Sequence, residues 1–472
     1  MSTAVIWILI PLGFGALLLP VSRFARLSLW VAGILSLLLA LLALFFPSDL
    51  TFTFAGRRYI FSEQFLLFGR SLFISSGNLT LIALLYLLNF FWNLGSRAFK
   101  ISEYFNALSL IITALWVAVL AVQPFLYSAV LIELIAMISI PLLTPRGSQT
   151  QPGVLRYLIF QTLAMPLILL SGWMLSGIAT APSVNPLIFR ASAMVFSGFF
   201  LWLGIFPLHS WLPMLSRESH PWVLGFLLNL MQTALSIFML YFLNQYAWLR
   251  NLPQVFEGFQ WVGVLSIAAA GLASSLQKDL RREFGYLYLA ETGYSLLALG
   301  LSRQGGLPAL VMLLLPRSLV YLLWAYALST LNKLRPNLEF TIEGIQGLIL
   351  QLPFTGGTLI LSILMLAGLP LFGIFPEKRL LWFLLPKLNA GLIPLMLIGV
   401  LGMLILALRM LHAMINRSSD SREETLARES PTNIAVMVLL ILTLMAIGTF
   451  PHIFLPWLGG ILTPFPQLQG LL

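Results

Sequence analysis

The chain has 472 residues, of which 59% are hydrophobic and only 9% charged, and its mean hydropathy is +0.96. A soluble domain carries roughly 25% charged residues, so this composition excludes an ordinary water-soluble globule, and the absence of cysteine excludes disulfides, thiolate metal sites and iron–sulfur ligation. The net charge of +10 would suggest nucleic acid in a soluble protein; here it reads as basic residues holding loops on the inner side of a lipid bilayer, with no nucleic-acid partner.

A spanning helix needs about 20 mostly apolar residues. Taken in chain order, the apolar runs predict fourteen spans, at 4–20, 27–46, 78–95, 104–122, 125–143, 155–176, 189–206, 222–245, 256–276, 284–302, 307–330, 352–386, 391–413 and 434–457. The fold expected is an all-α polytopic membrane protein. The first run lacks a basic leader and a small-residue cleavage site, so it reads as a retained helix. Between the second and third spans, residues 47–77 contain "TFTFAGRRYIF", which alternates like a strand and predicts a short hairpin. Residues 414–433 are polar and mixed in charge, as a linker or surface helix would be.

Basic residues set the expected orientation. With both termini outward, sixteen of the 26 lysines and arginines fall on inward loops and helix ends, among them Arg23, Arg97, Arg217, Lys278, Arg281, Arg282 and Lys333. Seven fall outward, and Arg317, Lys378 and Arg379 lie within spans. The excess predicts both ends on the outer side of an energy-transducing membrane, such as a bacterial plasma membrane.

An ionisable side chain at mid-membrane costs about 2.5–3.5 kcal/mol even on the lenient insertion scale, so each one is a functional candidate. Glu133 stands alone in "LIELIAMISIP" on the fifth span. Glu291 follows Tyr288 by three residues and precedes Ser295 by four, which puts the three on one helix face. Arg317 on the eleventh span keeps its charge and needs an anion; Glu291, on the preceding span, is the expected partner. Lys378 lies beside Glu377 and Arg379 on the twelfth span, either as a group that loads and releases protons or as a snorkelling helix end. His209, in "FPLHSWLP", reads on its own as a hydrogen-bonded core residue. His220, His412 and His452 have no metal-ligand spacing, and no phosphate loop, triad or metal motif occurs, so no catalytic or cofactor site is expected on this chain.

Pro207 interrupts the seventh span and Pro370 the twelfth. A proline at mid-membrane frees a backbone carbonyl that protein or water must satisfy. Grouping spans 4–8 and 9–13 puts each break on the fourth helix of its set, and an odd-numbered repeat inverts in the membrane. The expected division is therefore 1–103 for the first three helices, 104–248 and 249–413 for two inverted five-helix repeats with broken helices 7 and 12, and 414–472 for the linker and last helix.

These motifs, in this order, resemble the antiporter-like membrane subunits of respiratory complex I (subunits L, M and N), of Mrp antiporters and of membrane-bound hydrogenases. "ELIAMISIPLL" is similar to the family's fifth-span motif, "RYLIF" to the opening of its sixth and "FPLHSWLP" to its histidine–tryptophan motif. "KDLRREFGYLYLAETGYSLLALG" is similar to the family's ninth-to-tenth span junction, and "LAGLPLFGIFPEK" to its broken twelfth. The resemblance implies proton or sodium translocation inside a redox-driven, multi-subunit complex, with quinone and redox centres in partner subunits. It assigns relay roles to Glu133, His209, Glu291, Arg317 and Lys378. The family's seventh-span lysine falls here on Trp202 and its eighth-span lysine near Ala234, close to Asn229 and Gln232; Glu291 and Arg317 stand near family histidines. A non-conducting scaffold subunit and an Mrp-type cation/proton antiporter subunit are the alternatives. Lysine at 378, and a C-terminus without subunit L's long lateral helix, lean towards a subunit N-like place.

Overall fold

The computed structural model describes residues 2–45, 51–54, 57–67, 69–99, 101–144, 151–175, 186–336, 338–416 and 428–469. Its helices follow the apolar runs. After a π-helical turn at Val5–Leu9 come α1 (Ile10–Leu18), α2 (Ala25–Phe45), α3 (Leu79–Ser96), α4 (Phe105–Ala121), α5 (Ser128–Leu143) and α6 (Pro152–Leu175). Then follow α7 (Pro186–Leu203), α8 (Trp211–Glu218), α9 (Pro221–Gln245), the short α10 (Ala247–Asn251), α11 (Pro253–Leu276), α12 (Leu280–Gly300) and α13 (Leu307–Leu334). The last are the short α14 (Leu348–Gln351), α15 (Pro353–Ala367), α16 (Phe375–Asn389), α17 (Ile393–Ile415), α18 (Pro431–Thr449), α19 (Pro451–Gly459) and α20 (Pro466–Gln469).

Among the described residues, eight apolar segments are long enough to cross a bilayer, and six shorter ones of 10–17 residues lie among them. The helix α12 is absent from both groups because Arg281, Arg282, Glu283 and Glu291 lower its hydropathy. It is nevertheless buried along almost its whole length, inside the bundle rather than against lipid. It starts at Leu280, four residues before the predicted 284, because the Asp279 carboxylate accepts the backbone N–H of Arg281 and caps the helix. The last predicted span, 434–457, is two helices: α18 ends at Thr449 and α19 begins at Pro451, which has no N–H to continue the ladder.

Both predicted breaks are present. The seventh span divides into α7 and α8 across residues 204–210, where Gly204 takes φ +61°. The twelfth divides into α15 and α16 across 368–374, where Gly368 takes φ +97° and Leu371 φ +78°. A left-handed residue ends an α-helix without a clash only when it lacks a Cβ, so glycine stands first in both breaks. The two sets of five also pack alike. The contacts of α4 with α5 and α9, and of α6 with α7 and α8, have counterparts in those of α11 with α12 and α17, and of α13 with α15 and α16.

Glycine permits the tightest of these approaches. A Cβ on Gly271 of α11 would lie 2.0 Å from the Gly399 carbonyl oxygen of α17, and one on Gly402 would lie 2.1 Å from that of Gly271. In lipid, where apolar side chains gain little by leaving the solvent, such close backbone packing is a main source of helix association. Contacts also cross between the sets: α9 packs on α13, and α8 lies along α12, where a Cβ on Gly285 would strike the backbone of Leu212.

The predicted hairpin forms as β1 (Thr51–Phe54) paired antiparallel with β2 (Arg57–Ile60). A second hairpin follows, β3 (Gln64–Leu67) with β4 (Arg70–Phe73), and β4 pairs in turn with β5 (Val122–Gln123) at the end of α4. Most of the polar 414–433 linker lies outside the described residues.

Candidate functional site

The buried charges gather in the second set of five helices. Lys378 sits on the first turn of α16, just past the break, with 2% of its surface exposed. Its Nζ donates to Oε1 of Glu291 on α12 at 2.5 Å. It also donates to the carbonyl of Leu366, one of the acceptors freed where α15 ends, and lies 3.8 Å from the centre of the Tyr294 ring. Broken helix, carboxylate and aromatic face thus each supply part of the ammonium's shell.

The predicted partnership of Glu291 with Arg317 is corrected by this geometry. Glu291 is taken by Lys378, and the wholly buried Arg317 reaches α12 one turn further on, where Nη1 donates to the Ser295 hydroxyl at 2.6 Å. The lysine wins because its flexible stem rises from the mouth of the break directly onto Glu291. Nε and Nη2 of Arg317 have no hydrogen-bond partner among the described residues, nor has Oε2 of Glu291. Glu377, also on the first turn of α16, is 3% exposed, and its Oε2 likewise lacks a partner.

From this group a line of neutral polar side chains runs to α9. Gln232 donates to the Thr292 hydroxyl at 2.8 Å and accepts from the Tyr321 hydroxyl at 2.8 Å. One turn away, the Ser318 hydroxyl donates to Asn229 Oδ1 at 2.7 Å. Ser318 follows Arg317 in the chain, so α9, α12 and α13 are joined at one level by amides and hydroxyls. Asn229 and Gln232 are the residues beside the position where the family's eighth-span lysine would stand. Sequence reasoning noted them without giving them a role; the signal was two amides three residues apart in the middle of a mostly apolar helix.

Glu133 lies apart from that line. It is 7% exposed on α5, and Oε1 accepts from the Thr162 hydroxyl of α6 at 2.7 Å, while Oε2 has no partner among the described residues. Trp202, on the position of the missing lysine, is fully buried and packs edge-on against Phe199, with Phe238 beside it. A cavity of about 10 Å³ between Tyr157, Leu215, Leu227 and Met231 has room for on the order of one water. His209 is half-buried in the first break, its ring stacked on Phe206 with centroids 5.7 Å apart, and its Nδ1 has no partner among the described residues. No described hydrogen bond or ion pair joins Glu133 or His209 to the Lys378 group.

His220, outside the spans at the N-terminus of α9, caps that helix: Nδ1 accepts from the Trp222 backbone N–H at 3.2 Å. Burial, with the Arg281 charge second, pushes its pKa down to about 4.

Comparison with known proteins comes to the same architecture. Residues 132–406 match the family described as NADH:quinone oxidoreductase/Mrp antiporter, transmembrane. NADH-quinone oxidoreductase subunit N of Geotalea uraniireducens is 24% identical over 286 residues, or 60% of this chain and 59% of that one. The chain therefore spans about three fifths of that relative's length. Among solved structures, a chain of the membrane-bound sulfane sulfur reductase, an archaeal respiratory membrane complex, superposes with a TM-score of 0.78. It is 18% identical, with all of both chains covered. A chain of the Mrp complex from Dietzia sp. DQ12-45-1b gives a TM-score of 0.74 at 18% identity, covering 99% of each. At such identities the superpositions establish a shared fold.

Proposed function

The chain belongs to the NADH:quinone oxidoreductase/Mrp antiporter transmembrane family, and from that premise we propose that it is a proton-translocating subunit of a redox-driven membrane complex. In this reading it works beside other membrane subunits, both termini face outward, and quinone and redox centres belong to its partners. The protons cross through the second five-helix repeat and the polar line that leads to it. The observation that carries the reading is the bond between Lys378 and Glu291 inside the bundle. A buried ion pair costs more desolvation than it returns unless it is richly hydrogen-bonded, so a purely structural subunit gains more from leucine at both positions.

The path expected enters at the Asn229–Ser318 and Gln232–Tyr321–Thr292 hydroxyls and amides, which pass protons through hydrogen-bond rearrangement. It continues to Ser295 and the Glu291–Lys378–Glu377 group, whose charge state changes. Arg317 stays ionised throughout and sets the local field. Glu133, with Thr162 as its partner, and His209 stand outside this route; their carry-over from the family describes a first half-channel whose lysines are Trp202 and Ala234 here.

The test is reconstitution of the complex in vesicles with a pH-sensitive dye inside. Wild type is expected to acidify or alkalinise the lumen on turnover, and Lys378→Ala to lose most of that signal. Equal signals from the two make the chain a scaffold. A signal that requires sodium makes it a cation/proton exchanger.

A further inference from the structure

We propose that Glu377 carries the exchangeable proton of the buried group and that Lys378 is its fixed counter-charge. This rests on the proton-translocating reading and goes beyond it by naming the atom that is loaded. Four ionisable side chains share the group: Glu291 of α12, Arg317 of α13, and Glu377 and Lys378 of α16. Arg317 does not release its proton. Lys378 is held by the Glu291 carboxylate, the Leu366 carbonyl and the Tyr294 ring at once. Removing its proton would take a donor from both oxygens and leave the Glu291 anion in the interior with no cation bonded to it. Protonating Glu291 would likewise weaken the one ion pair of the group.

Glu377 has fewer ties, its own backbone N–H among them. Its Oε2 is buried and bonded to nothing described, so it gains or loses a proton without breaking a hydrogen bond. The balance of charge agrees. With Glu377 ionised, two anions face two cations and the group is neutral. With Glu377 protonated it carries one positive charge, which a proton leaving the group restores to zero.

Glu377 follows the 368–374 break, in which Pro370 and Leu371 are exposed at the surface while Gly373 and Ile374 are buried beside α16. The O–H bond on Oε2 forms as an O–H bond of a hydronium ion breaks and leaves water, and the proton departs by the reverse step, to water, through the break. Lys378 keeps its proton in both states.

Infrared difference spectra of the purified complex, recorded across a pH titration in H2O and D2O, read the protonated carboxyl directly and need no turnover. The expected result is a titrating carboxyl C=O band that is present in wild type and in Glu291→Gln, lost in Glu377→Gln, and moved to a new frequency in Glu377→Asp. A band that persists unmoved in Glu377→Gln and Glu377→Asp, or no titrating band in wild type, overturns the assignment. Vesicle uptake is expected to fall at least ten-fold in Glu377→Gln and to recover in part in Glu377→Asp; wild-type uptake in Glu377→Gln also overturns it. A titrating band on Glu377 in a complex that moves no protons would keep the assignment and end the translocation reading instead.

Discussion

Lys378 Nζ and Glu291 Oε1 lie 2.5 Å apart, 87 residues distant in the chain and both buried. Breaking a buried pair by removing one partner costs about 3–5 kcal/mol, because the other charge is left uncompensated. Glu291→Gln and Lys378→Met are each expected to lower the thermal midpoint of the solubilised complex. The double variant is expected to lower it by less than the sum of the two. Strict additivity in this double-mutant cycle would mean that the two side chains do not interact.

Gln232 is the joint between α9 and the charged helices, bonded to Thr292 and Tyr321. Gln232→Leu leaves the buried Tyr321 hydroxyl without its acceptor at about 1–3 kcal/mol, while Thr292 keeps its bond to the Tyr288 carbonyl, and it cuts the polar line. Proton uptake by vesicles is expected to drop several-fold while the complex still assembles on a sizing column. Unchanged uptake would remove Gln232 from the route.

Gly399 meets Gly271 backbone to backbone. Gly399→Leu has no room: its Cβ would lie 2.5 Å from both Cγ2 and the carbonyl oxygen of Ile267, and the carbonyl is main chain that cannot swing aside. The variant is expected to be absent from the assembled complex in membranes, whereas Leu401→Ala, on the exposed face of the same helix, is expected to assemble normally. Assembly of both to the same level would contradict the close approach of α11 and α17.

His220 gives a pH dependence outside the spans. Its folded pKa of about 4 lies below the ordinary 6.5, so the folded state prefers the neutral ring, whose Nδ1 lone pair caps α9. The stability it contributes is complete above pH 6.5 and is lost as pH falls from there towards 4. The melting temperature of wild type is expected to fall more steeply over that window than that of His220→Asn, which caps the helix without titrating. Parallel curves would show that His220 does not titrate on unfolding.

How much of this was written in the sequence depends on the kind of signal. The spans and both breaks were legible because length, hydropathy and the prolines at 207 and 370 are local properties. The break between α18 and α19 was not read, since hydropathy runs on through Phe450 and Pro451 without a polar interruption. Burial was also legible at the charged sites: Glu133, Glu291, Arg317 and Lys378 are all buried. Their pairing was not. Adjacent helices suggested Glu291 with Arg317, but which of two cations reaches a carboxylate depends on stem length and on where the twelfth span opens. Ser295 was legible as sharing a face with Glu291, but not as the partner of Arg317, and Thr162 on Glu133 is a hydroxyl with no sequence mark to set it apart from other threonines in apolar helices.

The route through the second repeat, with Glu133 outside it, is tested most directly by one side-by-side measurement of initial proton uptake in vesicles. The complex would carry Glu291→Gln or Glu133→Gln and be compared with wild type at equal assembled protein. The expected result is loss of most uptake in Glu291→Gln and a change of less than about two-fold in Glu133→Gln, well under the tenfold that 1.4 kcal/mol would produce. Loss of uptake in Glu133→Gln with a near-normal rate in Glu291→Gln would contradict the account.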